Sequence, residues 1–313
     1  MSTQPVLSAG LYPVMLTPFG DDGLLDWRAL DSLIEWYLEA GAAGLFAVCL
    51  SSEMYALSEE ERFGLAAHVV ARARGRVPVV ASGTFGGPIE RQAAFVCRMA
   101  ETGVDAVVAL PCQLVSPDEG EALLRDRLEQ LMAQTESVPL GLYECPSPYH
   151  RVLSPELLAW AAGSGRFLYH KDTQADLPPI LAKLGAIRNT RLGLFDASTP
   201  TALDSLLAGA AGASPIGANY YPALYAWMCR HFADRAAEAR ELQRMLAVME
   251  GVASRLYPVS AKWYLQQLGL PMGTRCRISS VGLNYHDRAM LHALRETAQR
   301  LCEDLPWGEA VLH

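Results

Sequence analysis

The sequence predicts a single (β/α)₈ barrel of the α/β class, followed by a C-terminal helical appendage. Eight short apolar runs alternate with longer amphipathic stretches, and this alternation stops after Asn219. Eight strand–helix repeats are typical of a closed barrel rather than an open sheet. The chain has 313 residues, 51% of them hydrophobic, which is enough to form one barrel-sized core.

The apolar runs are the candidate strands. Continuous apolar character over a short run is expected of a strand that is buried on both faces. The runs span residues 11–19, 44–50, 77–83, 106–111, 139–145, 167–172, 191–197 and 212–219.

Helix starts can be recognised between these runs. Ser58 is followed three residues later by Glu61, which is the pattern of a capping box. Ser154 precedes Pro155, and proline is favoured at the first position of a helix. Both sites are therefore predicted helix N-termini.

Beyond Asn219 the sequence has a helical pattern only. Residues 221–255 and 261–305 are predicted to be helical, with no linker or low-complexity segment before them. We therefore expect a barrel over residues 1–220 and C-terminal helices over residues 221–313 as part of the same unit.

Composition excludes several classes of function. A net charge of −8 argues against nucleic-acid binding, which needs a basic surface. No apolar, uncharged run reaches 18 residues, so no membrane span is expected. The N-terminus lacks a basic region and is interrupted by Gly10 and Pro13, so it does not resemble a signal peptide. Seven cysteines without a Cys-x-x-Cys pair favour a reduced, cytoplasmic protein.

Catalytic groups of such barrels lie at the C-terminal ends of the strands. Lys171 ends the sixth run and is one of only three lysines in the chain. Burial in a barrel lowers the pKa of a lysine, and the neutral amine attacks a carbonyl to form an imine. Tyr143 ends the neighbouring fifth run, where a phenol can transfer protons. The alternatives are an ion pair of Lys171 with Asp172 and a purely structural Tyr143.

The motifs of the chain, in their order, resemble those of the dihydrodipicolinate synthase / N-acetylneuraminate lyase family of class I lyases. The resemblance extends from Gly10 to about Arg277. The matching segments are Thr17-Pro18-Phe19 with Asp26, Glu53 with Leu57-Ser58 and Glu61-Arg62, Tyr143-Glu144-Cys145-Pro146-Ser147, Lys171-Asp172, Gly209-Ala210-Ala211-Gly212 with Ala218-Asn219, and Pro258-Val259 with Lys262. The resemblance implies Schiff-base chemistry at Lys171 without a cofactor or metal. It also implies a homodimer or homotetramer.

Three departures from the family pattern argue against the synthase reaction. The threonine of the synthases' proton relay is replaced by Leu50, which cannot carry a proton. The relay tyrosine that the neighbouring subunit contributes in the synthases is replaced by Gln113. The arginine that binds the carboxylate of the aldehyde substrate falls at Pro148.

Five residues are the candidates for substrate binding. Ser51 and Ser52 lie at a strand-to-helix turn, where hydroxyl and backbone N–H groups bind a carboxylate well. Arg151 has the planar geometry that suits a carboxylate, although it is equally well interpreted as a solvated loop residue. Gln113 and Ser214 are further polar groups near predicted strand ends.

Other reactive residues receive structural interpretations. His150 is a possible acid–base group, whereas strand alternation directs His170 away from Lys171 and towards the helices. Three cysteines lie at strand ends without the spacing of a metal site, namely Cys49, Cys112 and Cys145. The glycine-rich segment 82–87 is interpreted as a turn rather than a phosphate site.

These observations favour a Schiff-base lyase, either an aldolase or a dehydratase, that acts on a 2-keto acid. A 2-keto-3-deoxy sugar acid is the expected substrate, because such a reaction needs the imine, Tyr143 and polar groups along the substrate tail. The alternatives are a divergent condensing enzyme of the synthase type and a barrel that binds 2-keto acids without catalysis.

Overall fold

The computed structural model describes residues 7–304, and the strands in this part of the chain are short. The strands are β1 Gly10–Leu11, β2 Leu45–Val48, β3 Val79–Ser82, β4 Ala106–Ala109, β5 Leu140–Tyr143, β6 Phe167–Asp172, β7 Gly193–Asp196 and β8 Gly212–Ala213. The α-helices are α1 Trp27–Glu39, α2 Glu59–Ala73, α3 Ile89–Ala100, α4 Glu121–Gln134, α5 Pro155–Gly163, α6 Leu177–Ala186, α7 Ala202–Leu207, α8 Pro222–His231, α9 Ala236–Ala253, α10 Val259–Gln267 and α11 Tyr285–Asp304.

The strands form one parallel sheet in the order β1-β8-β7-β6-β5-β4-β3-β2. A parallel bridge between Val14 and Phe46 joins the segment after β1 to β2 and closes the ring. The predicted (β/α)₈ barrel is therefore confirmed. Each predicted run contains or overlaps one strand, but several strands end earlier than their run. The chain turns there into short 3-10 helices at Leu50–Ser52, Pro111–Gln113 and Ile216–Asn219.

Both predicted helix N-termini are confirmed. The Ser58 hydroxyl accepts a hydrogen bond from the Glu61 N–H, and the Glu61 carboxylate accepts one from the Ser58 N–H at 2.8 Å. At the start of α5, the Ser154 hydroxyl accepts from the Leu157 N–H at 3.1 Å. These caps satisfy backbone donors that have no partner within the helix.

Aromatic side chains fill the barrel below its C-terminal end. The rings of Tyr169 and Phe195 stack with their centroids 4.7 Å apart, and the Tyr12 ring lies 4.5 Å from Phe195. The backbones of β1 and β8 approach so closely that a Cβ on Gly212 would lie 1.8 Å from the Gly10 carbonyl oxygen. This packing gives the site above it a dry, apolar floor.

The C-terminal region differs from its prediction in detail. Each of the two predicted helical stretches divides into two helices, α8 and α9 in the first and α10 and α11 in the second. The second division lies in residues 268–284, where Gly269 has a positive φ of 93° and Pro271 follows. The predicted boundary at residue 220 falls just before α8. No described helix is both long and apolar enough to cross a bilayer.

A buried ion pair holds the C-terminal region against the barrel. The Lys262 ammonium lies 2.7 Å from Glu53 Oε1, and both side chains are fully buried. Glu53 Oε2 accepts hydrogen bonds from the backbone N–H groups of Arg277 and Ile278. The Arg277 guanidinium in turn forms two hydrogen bonds with the Glu61 carboxylate. These contacts place residues 277–278 beside the C-terminal ends of the strands.

A second buried network fixes the ends of β5 and β6. The Lys183 ammonium of α6 lies 2.5 Å from Glu144 Oε1 and 2.6 Å from Asp172 Oδ2. His170 Nε2 lies 3.6 Å from Glu144 Oε1, so His170 faces the helices as strand alternation predicts. Burial opposes ionisation of Asp172, but His170 and Lys183 together hold the pKa of Asp172 below its usual value. The residues next to Glu144 and Asp172 in sequence, Tyr143 and Lys171, are held in place by this network.

Lys183→Met is expected to lower the free energy of unfolding by about 3–5 kcal/mol, because it leaves two buried carboxylates without a cation. Urea denaturation measures this change. Arg244→Met is the matched control, since Arg244 pairs with Glu241 on the surface at 3.2 Å. The Arg244→Met substitution is expected to lower the free energy of unfolding by less than about 1 kcal/mol. Equal stability losses in the two variants would contradict the proposed role of Lys183.

Candidate active site

Lys171 lies at the C-terminal end of β6 with its side chain inside the barrel. It is 4% exposed, and its Nζ lies 4.8 Å from the centroid of the Tyr143 ring and 5.9 Å from that of Phe46. Among residues 7–304, no carboxylate lies within salt-bridge distance of this amine. Asp172 pairs with Lys183 on the opposite face of the strand. The alternative interpretation of Lys171 as the ion-pair partner of Asp172 is therefore wrong.

The environment of Lys171 favours its neutral form. Burial lowers the pKa of the amine to about 8, and the nearby thiol groups of Cys49 and Cys145 partly oppose the shift. At pH 7 about one molecule in ten then has a neutral amine, against roughly one in several thousand for an unperturbed lysine. A neutral amine is the nucleophile that imine formation requires.

Tyr143 is paired with Lys171 across the β5–β6 ladder. Its side chain is 3% exposed, and burial raises the pKa of its phenol well above the usual value. The phenol lies near the Cys145 thiol, which also interacts with Cys112. This contact with Cys112 lowers the pKa of Cys145 to about 7 despite burial. Tyr143 is therefore a protonated donor next to the amine at neutral pH.

Lys171 and Tyr143 lie in a cavity of about 690 Å³ at the C-terminal ends of the strands. Loops after the strands form one side of it, and α9 with the segments that follow it forms the other. The polar lining residues are Ser51, Tyr143, Lys171, Thr173, Ser198, Ser214, Glu250, Ser254 and Tyr257. The larger apolar ones are Leu50, Pro146, Pro200, Ile216, Pro258 and Ile278. A chamber of this size and composition is typical of a small-molecule site.

Two of the predicted binding residues line the cavity. The Ser51 side chain lies near the hydroxyl of Tyr257 and lowers the pKa of that phenol, although burial raises it overall. The Tyr257 hydroxyl accepts a hydrogen bond from Asn219 Nδ2 at 2.8 Å. The Ser214 hydroxyl donates to the Tyr12 carbonyl at 2.8 Å and lies on the same lining. Leu50 also lines the cavity, so an apolar side chain contacts this space where the family pattern has a hydroxyl.

The other three predicted binding residues are not among the lining residues. The Ser52 hydroxyl is fully buried and bonds both the N–H and the carbonyl of Cys49. The Gln113 amide donates to the Tyr55 hydroxyl at 3.0 Å. Arg151 is half-buried in the loop between β5 and α5. The first two side chains are engaged elsewhere, and the third lies outside the cavity lining.

Five polar lining residues were not among the predicted site residues, namely Thr173, Ser198, Glu250, Ser254 and Tyr257. Ser198 follows β7, whereas Glu250 and Tyr257 come from α9 and the segment after it. A signal for Glu250 was present, since it is the only charged residue in the apolar stretch 245–253. Charged residues within an apolar helix face are usually buried with a partner or near a function.

The clusters that were candidates for metal or phosphate binding have internal partners. Among the described residues, the group with metal-ligand geometry is Glu144, His170 and Asp172, and the Lys183 ammonium already lies within hydrogen-bonding distance of both carboxylates. In the glycine-rich segment, the Thr84 hydroxyl accepts from the Leu110 N–H at 2.7 Å.

Comparisons with known proteins agree with this architecture. The model of the dihydrodipicolinate synthetase family matches residues 7–297. The 4-hydroxy-tetrahydrodipicolinate synthase of Saccharophagus degradans is 29% identical over 283 residues, which are 88% of this chain and 94% of that protein.

Solved structures of similar proteins share the fold. The dihydrodipicolinate synthase of Acinetobacter baumannii, in complex with pyruvate, has a TM-score of 0.83 at 24% identity and covers 93% of this chain and 99% of its own. YagE, a prophage protein of E. coli K12 in complex with pyruvate, has a TM-score of 0.82 at 22% identity and covers 94% of this chain and 98% of its own. Together with the match over nearly the whole chain, these likenesses identify the chain as a lyase that belongs to the dihydrodipicolinate synthetase family.

Proposed function

We propose that Lys171 forms a Schiff base with the ketone of a 2-keto-3-deoxy sugar acid and that the enzyme then breaks a carbon–carbon or carbon–oxygen bond of this substrate. The observation that carries the proposal is the unpaired, buried amine of Lys171 beside the Tyr143 phenol in the cavity. Pyruvate, the ligand named for two of the similar structures, is a 2-keto acid and supports the substrate class.

Imine formation needs a nucleophile and a proton donor. The neutral Lys171 amine attacks C2 of the keto acid to give a carbinolamine. Loss of the C2 hydroxyl as water then leaves a protonated imine. Tyr143 is the group placed to donate the proton to the departing hydroxyl and to recover one afterwards, because its phenol is protonated and adjacent to the amine.

The protonated imine withdraws electrons from C3 and prepares two reactions. In the aldolase reaction, the C4 hydroxyl loses its proton, the C3–C4 bond breaks, and its electron pair forms the enamine. Protonation at C3 and hydrolysis then release pyruvate and an aldehyde. In the dehydratase reaction, C3 loses a proton to give the enamine, which expels the C4 hydroxyl as water. Both reactions use the same Lys171 and Tyr143, so the site is compatible with either.

The carboxylate of the keto acid is proposed to bind beside Ser51 and Tyr257. Both side chains line the cavity close to one another, and both hydroxyl groups can donate to a carboxylate. Ser214 is a further polar contact near the amine. Hydroxyl donors suit this role because a second ammonium or guanidinium near Lys171 would repel the positive charge of the protonated imine.

The synthase reaction is the alternative, since curated relatives carry that name. Its aldehyde substrate has a second carboxylate, and among residues 7–304 no arginine or lysine other than Lys171 lines the cavity. The Gln113 amide is bonded to Tyr55, and Leu50 offers no proton to a relay. These features favour cleavage or dehydration of a substrate with one carboxylate.

Assembly and location are also part of this proposal. A homodimer or homotetramer in the cytoplasm is expected, and the reduced state of all seven cysteines is compatible with that compartment. Light scattering that finds only a 34.0 kDa species would contradict the oligomer.

A panel of 2-keto-3-deoxy acids, followed by mass spectrometry, tests the reaction. Pyruvate plus an aldehyde identifies an aldolase, and a product lighter by one water identifies a dehydratase. Lys171→Ala is expected to abolish either product, and Tyr143→Phe to slow its formation by about 10²–10⁴-fold. Gln113→Ala is the control that should retain turnover. Condensation of pyruvate with aspartate semialdehyde, without any cleavage or dehydration in the panel, would contradict the proposal and favour the synthase reaction.

The pH profile tests the state of the amine. The folded pKa of Lys171 lies below its ordinary value, so the neutral, reactive form is gained as pH rises through about 8. We expect kcat/KM to rise with pH and to level off above this midpoint. Cys145→Ala should lower the midpoint, since the Cys145 thiolate stabilises the ammonium. A rise centred near the pKa of an exposed lysine would contradict the assignment.

A further inference from the structure

Glu250 is the one charged residue besides Lys171 among the described residues that line the cavity. It lies near the C-terminal end of α9, next to Gly251 and one helical turn before Ser254, which line the same wall. Lys171, at the end of β6, lines the same cavity. A substrate whose ketone is bound at Lys171 can therefore extend its tail towards α9.

The Glu250 carboxylate has no cationic partner. No lysine, arginine or histidine of residues 7–304 lies within salt-bridge distance, and its Oε2 is buried without a hydrogen-bond donor. Burial raises the pKa of Glu250, although the nearby Thr199 partly opposes the shift. The Thr199 hydroxyl is itself engaged with the Tyr225 hydroxyl at 2.7 Å.

Interactions with Thr199 offset only part of the cost of burying this carboxylate, and a poorly compensated buried carboxylate weakens the fold. The stability of the fold therefore does not explain a glutamate at this position. Its place on the cavity lining does, because a carboxylate there can contact a bound substrate. A carboxylate accepts hydrogen bonds from two neighbouring hydroxyl groups at once. Ser198 and Ser254 on the same lining offer further hydroxyl groups to a polar tail.

We propose that Glu250 determines substrate specificity by accepting hydrogen bonds from an uncharged, polyhydroxylated tail and repelling a tail that ends in a second carboxylate. This inference rests on the proposed binding of the ketone by Lys171 and extends it to the far end of the substrate. It restricts the substrate class to 2-keto-3-deoxy acids with a single carboxylate.

Borohydride trapping of the imine on the full-length enzyme tests the proposal without requiring turnover. The concentration for half-maximal trapping is measured for a six-carbon 2-keto-3-deoxyaldonic acid, whose tail is neutral, and for the corresponding aldaric acid, whose tail ends in a carboxylate. The wild type should prefer the neutral tail. Glu250→Gln should reduce this preference by roughly tenfold or more, because hydrogen bonds to a charged acceptor are stronger and the repulsion is removed. Glu250→Lys should reverse it.

Two controls separate this inference from the proposed function. Pyruvate has no tail, so its trapping should be equal in the wild type and both variants. Glu241→Gln, on the same helix but exposed and paired with Arg244, should leave the preference unchanged. If both Glu250 variants keep the preference for the neutral tail and trap pyruvate normally, the proposed role of Glu250 is wrong, whereas the proposed Schiff-base function is unaffected. A wild type that traps no 2-keto acid would overturn the Schiff-base function and this inference with it.

Discussion

The side chain of Lys171 is buried beside the rings of Tyr143 and Phe46, and no carboxylate in the described part of the chain compensates its charge. The other two lysines of the chain are equally buried, but each is paired: Lys183 with Glu144 and Asp172, and Lys262 with Glu53. This difference is the basis of the proposal that the Lys171 amine is reactive and that the other two ammonium groups are structural. Asp172, which follows Lys171 in sequence, is paired with Lys183 of α6 and does not neutralise the Lys171 amine. Burial therefore keeps the pKa of that amine lowered.

The C-terminal helices complete the site that the barrel begins. The strand ends and the loops after them supply Lys171, the Tyr143 phenol and several hydroxyl groups, whereas α9 and the segments after it supply further lining residues of the same cavity. The Glu53–Lys262 pair and the Arg277 contacts hold these segments at the barrel mouth. The chemistry thus depends on the barrel, and selection among substrates is proposed to depend on the appended helices.

The fold and the centre of the site followed from local sequence patterns. Alternation along a strand is a local rule, so the inward direction of Lys171 and the outward direction of His170 were predictable. The orientation of the Ser52 side chain was not predictable. In the 3-10 turn after β2 its hydroxyl bonds to the backbone of Cys49, whereas Ser51 lines the cavity. Glu250 was missed for a different reason: its place in the cavity depends on how α9 packs on the barrel, which no local pattern encodes.

The central claim is that Lys171 is the nucleophile. Reduction of the enzyme with borohydride in the presence of pyruvate, followed by proteolysis and peptide mass spectrometry, tests it most directly. Only three lysines exist, so the modified residue can be assigned without ambiguity. The account predicts a reduced pyruvate adduct on the peptide that contains Lys171. An adduct confined to Lys183 or Lys262, or no adduct at saturating pyruvate, would contradict it.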